Sequence, residues 1–193
     1  MLNWATPLAP VVNGIVTDYT INVTSSVGNS SFQIGSNTTS YTLTTLRPFV
    51  TYTCVVAAHT SIGRGPFSMN MTLTTPEDVP EAPPVMVTRG NVLSRSVALT
   101  WVAPRSDRQN GIIRHYNIEA YENNTGNLLT YQTASDQTSF IVSNLHPFYT
   151  YTIRLQAVTT GPGPHSVSLT VNTMEDGMRK SLPTDLNPVP YLD

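Results

Sequence analysis

The sequence predicts an all-β protein made of two tandem copies of one antiparallel β-sandwich. An internal repeat is the first observation: "LNWATP" at residues 2–7 returns as "LTWVAP" at 99–104, and "LRPFVTYTC" at 46–54 returns as "LHPFYTYTI" at 145–153. The spacing of nearly 100 residues is that of a domain and not of a solenoid repeat. The second observation is an alternation of apolar and polar residues with a period of two, and no segment shows helical spacing.

Five short segments in each copy show this alternation, and turns rich in Gly, Pro, Asn and Ser separate them, as in a sandwich. One face of each segment is apolar and is predicted to point into the core. In the first copy the inward residues are Leu2 and Trp4; Tyr19, Ile21 and Val23; Tyr41 and Leu43; Tyr52, Cys54, Val56 and Ala58; Met69, Met71 and Leu73. In the second copy they are Val97, Leu99 and Trp101; Tyr116 and Ile118; Phe140 and Val142; Tyr151, Ile153, Leu155 and Ala157; Val167, Leu169 and Val171.

Composition divides the chain into four parts. We predict a first sandwich over residues 1–75, a proline-rich linker over 76–84, a second sandwich over 85–174 and a disordered tail over 175–193. The linker prolines favour an extended, semi-rigid connection. The tail has several prolines and no alternation, which favours disorder.

The two copies differ at their starts. Val85, Met86 and Val87 form the expected first strand of the second copy, whereas the first copy begins beside its second strand. We therefore expect the first copy to lack its first strand, and to be less stable than the second or to associate through the exposed edge.

The linker carries three acids, and the loop after the second strand of copy two carries two arginines. In a sandwich this loop lies at the end where the linker enters. We therefore expect Arg105 and Arg108 to approach the linker acids, which are Glu77, Asp78 and Glu81.

Four features shared by both copies resemble the fibronectin type III domain. They are a Trp in the second strand, a Tyr in the third, a Leu-x-Pro-x-x-x-Tyr approach to the sixth, and a Gly/Pro-rich turn followed by Ser. The residues are Trp4, Tyr19, Leu46, Pro48 and Tyr52 in the first copy and Trp101, Tyr116, Leu145, Pro147 and Tyr151 in the second, with turns at 63–68 and 161–166. The resemblance implies an immunoglobulin-like sandwich in each copy. An immunoglobulin domain itself is disfavoured, because Trp4 precedes the place of a first cysteine and Cys54 is the only cysteine.

The repeated Pro-aromatic phrase is interpreted as a structural corner. Proline ends the preceding strand, and the aromatic residue after it is expected to cover the turn. Tyr52 and Tyr151 then start the next strand with an inward ring and a hydroxyl that can bond the turn backbone.

Composition excludes several classes of function. Charged residues are 11% of the chain, against about 25% in a typical soluble domain. The net charge is −2 without a basic cluster, which disfavours nucleic-acid binding. No apolar run approaches the roughly 20 residues that span a bilayer, so membrane insertion of this segment is not expected.

Catalytic and metal-binding patterns are not found. His59, His115, His146 and His165 lack the spacing of a zinc site and are predicted to be solvated, and Asp107 and Asp136 fall in different loops without an organised nucleophile. Cys54 belongs to the inward-facing residues of its strand, so we predict a buried thiol with a raised pKa. "GRGP" at 63–66 has Pro66 where an integrin-binding Arg-Gly-Asp loop needs aspartate. We expect no enzyme activity, no cofactor, no metal and no small-molecule substrate.

Five Asn-x-Ser/Thr motifs without a central proline are candidate N-glycosylation sites. The alternation of inward and outward residues places two of them on the outward faces of strands, and the other three fall in predicted turns. The outward pair is Asn22 and Asn70, and the turn sites are Asn29, Asn37 and Asn123.

The resemblance implies a non-catalytic, extracellular or cell-surface spacer that binds a protein partner. Such arrays occur in ectodomains of cell-adhesion proteins and receptor tyrosine phosphatases. Two alternatives stay open, an accessory region of a secreted enzyme and an intracellular scaffold array. The scaffold arrays tend to be rich in Lys and Glu, whereas Lys180 is the only lysine here. Fold alone does not choose among them.

Overall fold

The computed structural model describes residues 1–7, 14–135 and 137–177, and nearly all of its regular structure is antiparallel β-sheet. The chain divides into two compact units. Unit 1 takes in residues 1–81, 105–112 and 159–161, and unit 2 takes in 82–104, 113–158 and the chain from 162 onward. Each unit contains one β-sandwich. Most of the tail predicted for 175–193 lies outside the described residues.

Within residues 1–7 and 14–81, the sandwich of unit 1 has seven strands in two sheets. They are β1 (Leu2–Asn3), β2 (Asp18–Ser25), β3 (Gly28–Gly35), β4 (Ser40–Tyr41), β5 (Thr51–Thr60), β6 (Gly63–Phe67) and β7 (Met71–Thr74). One sheet is the pair β1–β4. The other has the order β3-β2-β5-β6, and β7 also pairs with β5.

The sandwich of unit 2 repeats this plan with an additional first strand. Its strands are β8 (Val85–Val92), β9 (Val97–Val102), β10 (His115–Glu122), β11 (Leu128–Gln132), β12 (Ser139–Val142), β13 (Thr150–Val158), β14 (Pro162–His165) and β15 (Leu169–Asn172). The sheets have the orders β12-β9-β8 and β11-β10-β13-β14, and β15 also pairs with β13. A short 3₁₀ helix spans Ser106–Arg108.

The period-two alternation of the sequence produces the cores. Tyr19 and Ile21 of β2 and the matching Tyr116 and Ile118 of β10 are buried, while their strand neighbours are not. Each tyrosine ring packs edge to face against a tryptophan, Trp4 just after β1 in unit 1 and Trp101 of β9 in unit 2, with ring centroids 5.4 Å and 5.2 Å apart respectively. Such aromatic pairs contribute about 0.5–1.5 kcal/mol beyond the area they bury.

Three residues predicted to point inward are exposed instead, and one of them, Met71, is 48% exposed at the start of β7. Met69 is 91% exposed and Val167 is 87% exposed, and both precede their strands. The cause is the serine immediately before each of these two residues. Ser68 bonds β5 through both its N–H and its hydroxyl, and Ser166 bonds β13 in the same way, which interrupts the ladder and turns the next residues outward.

Candidate functional site

The repeated corner places a buried tyrosine hydroxyl against the backbone in each unit. Tyr52 Oη accepts a hydrogen bond from the Arg47 N–H at 2.8 Å. Tyr151 Oη accepts one from the His146 N–H at 2.8 Å. Leu145 is buried and Leu46 is half-buried beside these rings. In both units the tyrosine hydroxyl holds the backbone of the turn, so its role is structural and not catalytic.

The aromatic residue after each corner proline does not cover the turn, contrary to expectation. Phe49 and Phe148 follow Pro48 and Pro147, and both have positive φ, 53° and 62°. Phe148 is 72% exposed. Their backbone N–H groups donate to carbonyls beyond the last strand of each sandwich, and this left-handed backbone turns the rings into solvent.

The corner of unit 2 also holds a buried carboxylate, Glu122, which is 2% exposed. Its oxygens accept hydrogen bonds from the hydroxyls of Thr125 and Tyr151, the latter at 2.7 Å, and lie 2.7 Å from Nδ1 of His146. The bond from Thr125, with those from His146 and Tyr151, lowers the pKa of Glu122 to about 2 although burial opposes the shift. Burial, reinforced by this carboxylate, raises the pKa of Tyr151 to about 12.

Glu122 was not identified from the sequence as a buried residue, although it lies on the same inward face of β10 as Ile118 and Ala120. Its carboxylate stays ionised and the Tyr151 hydroxyl stays protonated near neutral pH. The hydrogen bonds to this carboxylate therefore hold the corner together. The equivalent position of the first copy is Ser25, so this carboxylate belongs to unit 2 alone.

Three of the four histidines, His59, His115 and His165, are half-buried and so less solvated than the sequence predicted, whereas the side chain of His146 is 61% exposed, as predicted. His59 Nε2 lies 2.7 Å from Thr20 Oγ1, and His165 Nε2 lies 3.2 Å from Glu119 Oε2. In the described part of the chain, no group of three or more His, Cys, Asp or Glu side chains could hold a metal ion. Asp136 lies outside the described residues. Cys54 is buried and burial raises the pKa of its thiol, as predicted.

An open cleft of about 550 Å³ lies at one end of unit 1, beside the β5–β6 hairpin. Its lining is mostly apolar and includes Trp4, Pro7, Tyr19, Ala58, Ile62 and Phe67. Ile62 projects from the hairpin tip and is 90% exposed. The guanidinium carbon of Arg64 lies 4.4 Å from the centroid of the Phe67 ring, which places a cation at the rim.

The matching hairpin of the second copy is in contact with an extended chain segment. Thr159, the counterpart of Thr60, donates its hydroxyl to the Asp78 carbonyl oxygen at 2.5 Å. A Cβ on Gly161 would lie only 3.1 Å from Val79 Cγ1, so glycine permits this close approach. In the second copy the hairpin tip therefore contacts linker residues 78 and 79, which lie between Pro76 and Pro80.

The linker acids meet only one of the two arginines expected to approach them. Glu81 binds the guanidinium groups of Arg108 and Arg47, the latter at 3.0 Å. The expectation for Arg105 is wrong, because its guanidinium binds Asp107 at 3.0 and 3.1 Å, two residues away. Exposed pairs of this kind contribute at most about 1 kcal/mol each.

The five candidate glycosylation sites lie in different environments. Asn22 is half-buried on the central strand β2, where its Oδ1 accepts a hydrogen bond from Ser31 at 2.8 Å. Asn70 lies between β6 and β7, so the strand position predicted for it is wrong. Asn29 lies within β3 and not in a turn, while Asn37 and Asn123 lie between strands. Asn29, Asn37, Asn70 and Asn123 are all exposed.

Comparison with known proteins matches both sandwiches to one family. The fibronectin type III domain matches residues 1–74 and again residues 81–172. The chain belongs to the fibronectin type III family. In the described residues, no helix is long and apolar enough to cross a membrane.

Relatives of this fibronectin type III protein are cell-surface proteins. The chain is 34% identical to "Cell adhesion molecule DSCAM" of Homo sapiens over 143 residues, which cover 71% of this chain. It is 30% identical over 175 residues, 85% of its length, to "Cell adhesion molecule DSCAML1" of Mus musculus. "Receptor-type tyrosine-protein phosphatase F" of Bos taurus is 33% identical over 144 residues, 72% of this chain. The chain spans only 7 or 8% of the length of these relatives.

Proposed function

We propose that the chain is a non-catalytic, extracellular spacer and protein-binding module of a cell-adhesion or receptor ectodomain. Support comes from the relatives, two of which are named cell adhesion molecules. The phosphatase relative aligns through its fibronectin type III domains, so its name carries no catalysis to this chain.

The observation that carries the binding role is the cleft of unit 1. It is apolar, open, bordered by Arg64 and lined by the β5–β6 hairpin. The equivalent hairpin binds linker residues 78 and 79 through Thr159 and Gly161. We infer that the cleft binds an extended, proline-containing segment of a partner protein.

A peptide titration tests the cleft. The ¹⁵N-labelled chain is mixed with the synthetic peptide PEDVPEAPP, which has the sequence of residues 76–84. We expect shifts of amide signals at Thr60, Ile62 and Gly63 and of the Trp4 indole. Ile62→Glu places a charge at the cleft mouth and is expected to weaken binding about tenfold or more.

The control for this titration is Val167→Glu, because Val167 is equally exposed and lies in unit 2. Unchanged spectra, or equal weakening by both variants, would contradict cleft binding. The extracellular role is tested separately: the chain behind a secretion signal in eukaryotic cells is expected to be exported folded, and its retention inside the cell would count against that role.

A further inference from the structure

We propose that Asn29 and Asn37 carry N-linked glycans that shield the edge strand β3 from pairing with a second copy of the chain. The proposal rests on the extracellular role above, because the secretory route supplies the glycan. The asparagine amide nitrogen bonds to the anomeric carbon of an oligosaccharide held on a lipid diphosphate. The carbon–oxygen bond to the diphosphate breaks, the diphosphate leaves with its electron pair, and the amide releases one proton.

Strand β3 is a long, regular edge. It pairs with β2 over eight successive residue pairs, from Asp18 with Gly35 to Ser25 with Gly28, without a register shift. Among the described residues β2 is its sole strand partner. The backbone groups on the other side of β3 are therefore available to another strand, which is the usual route to edge-to-edge association.

Other edge strands of the described sheets carry features that discourage pairing. Strand β8 contains Arg89 and two register shifts, and β6 contains Arg64 and Pro66. Strand β14 begins with Pro162 and has Pro164 two residues later, and β11 has only five residues. Charge, proline, irregular register and short length are the known devices of edge protection. The sequence of β3, GNSSFQIG, has none of them.

The surface around β3 is also nearly uncharged. Residues 1–75 contain three charged side chains, Asp18, Arg47 and Arg64, whereas residues 85–174 contain ten. Charge repulsion keeps copies of a protein apart in solution. Residues 1–75 have a formal net charge of only +1, so repulsion between copies of the first sandwich is weak, and bulky glycans are a different means of keeping copies apart.

The sequons supply this means at both ends of the strand. Asn29 is the second residue of β3, on the outward face with Ser31 and Gln33, and Asn37 lies two residues beyond the last. Both are exposed. At about 3.3 Å per residue the eight-residue strand is roughly 26 Å long, so bulky hydrated glycans near its two ends flank the open edge. None of the other three sequons lies on this edge strand.

Two measurements on the secreted, full-length chain test the proposal. Enzymatic removal of glycans in ¹⁸O-labelled water, followed by peptide mass spectrometry, is expected to show modification at Asn29 and Asn37. Sedimentation over a concentration series is expected to show a monomer before deglycosylation. After deglycosylation the association constant is expected to be at least about tenfold higher. The variant with Asn29→Gln and Asn37→Gln should behave like the deglycosylated protein, whereas Asn70→Gln with Asn123→Gln should not.

A third arm uses protein made in bacteria, which carries no glycan, and tests the edge alone. Gln33→Lys puts a charge on β3 and is expected to restore the monomer. The matched control is Gln132→Lys, because Gln132 occupies the same register on β11 that Gln33 has on β3, opposite Asn117 and Thr20 respectively. It should leave association unchanged.

The outcomes separate the proposal from the function on which it rests. Glycans at Asn70 or Asn123 with none at Asn29 and Asn37 would overturn the shielding proposal and support the extracellular role. A glycan-free chain that stays monomeric, or equal effects of Gln33→Lys and Gln132→Lys, would overturn edge pairing through β3. Failure of export with no modification at any sequon would overturn the extracellular role and the glycan shield together.

Discussion

At the scale of single residues, Glu122 links the stability of the second sandwich to pH. The unfolded chain titrates this carboxyl near its ordinary pKa of 4.5, and the folded corner lowers its pKa to about 2. A lowered pKa in the folded state means that the ionised form stabilises the fold. This contribution is complete above pH 4.5 and is lost as the pH falls through about 2.

The expected effect of Glu122→Gln follows from the lowered pKa of Glu122 in the folded state. Near pH 7 the variant is expected to lower the free energy of unfolding of the second sandwich by about 1–3 kcal/mol, because buried partners lose a charged acceptor. The difference from the unmodified chain should shrink as the pH falls from 4.5 towards 2. Urea unfolding at several pH values measures it. The exposed Glu175→Gln is the control, and a difference that is independent of pH would contradict the assignment.

At the scale of strands and turns, the sequence predicted the central strands and several edge strands but missed four edge strands, which are β3, β6, β11 and β14. The central strands β2, β5, β10 and β13 contain inward Tyr, Ile, Leu and Val at alternate positions, which gives a clear signal. Strand β6 forms a hairpin with β5, and β14 forms one with β13. Their sequences are GRGPF and PGPH, and such glycine and proline residues indicate a turn and not a strand. Each pairs at a sheet edge through an irregular register, where proline is tolerated.

Strand β3 was missed for a related reason, since only Phe32 and Ile34 alternate within a run of Gly, Asn and Ser. The candidate site was less predictable than the fold. The corner tyrosines were visible because the phrase repeats, whereas the Glu122 cluster joins residues from three separate segments. The cleft forms between the tip of the β5–β6 hairpin on one side and Trp4 and Pro7 on the other. No local sequence pattern encodes the separation of these segments.

Because the corner occurs twice, the contribution of the Tyr52 hydroxyl to stability can be compared with that of the Tyr151 hydroxyl in the same chain. Tyr52→Phe removes an acceptor for the Arg47 N–H and is expected to cost about 1 kcal/mol. Tyr151→Phe removes an acceptor for the His146 N–H and also a donor to the buried Glu122, so about 2–3 kcal/mol is expected. Urea unfolding of the two variants compares them. Equal losses would show that Glu122 does not depend on Tyr151, and adding Glu122→Gln to Tyr151→Phe should then give simple addition.

At the scale of the whole molecule, the two sandwiches share a plan and differ in the size of their cores. Among the described residues, the buried cluster of the second sandwich has thirteen members, whereas that of the first has five, with Trp4, Phe32 and Tyr41 only partly buried around it. Tyr19 and Ala57 of the first sandwich are buried outside this cluster. Burial of apolar surface is the main favourable term in folding, and domain stability is only about 5–15 kcal/mol. A core smaller by several side chains therefore leaves the first sandwich with a narrower margin.

We predict that the full chain unfolds in two steps, with the first sandwich opening at lower urea. Hydrogen exchange followed by mass spectrometry on the intact chain reports both sandwiches, because peptides from β2 and β5 can be compared with those from β10 and β13. Ile21 and Ile118 occupy equivalent positions and both are fully buried. Replacing either by valine is expected to cost about 0.5–1.5 kcal/mol. Ile21→Val should shift only the first transition and Ile118→Val only the second. A single transition shared by all peptides, shifted by both variants alike, would show that the two sandwiches fold as one cooperative body and that core size does not set the order of unfolding.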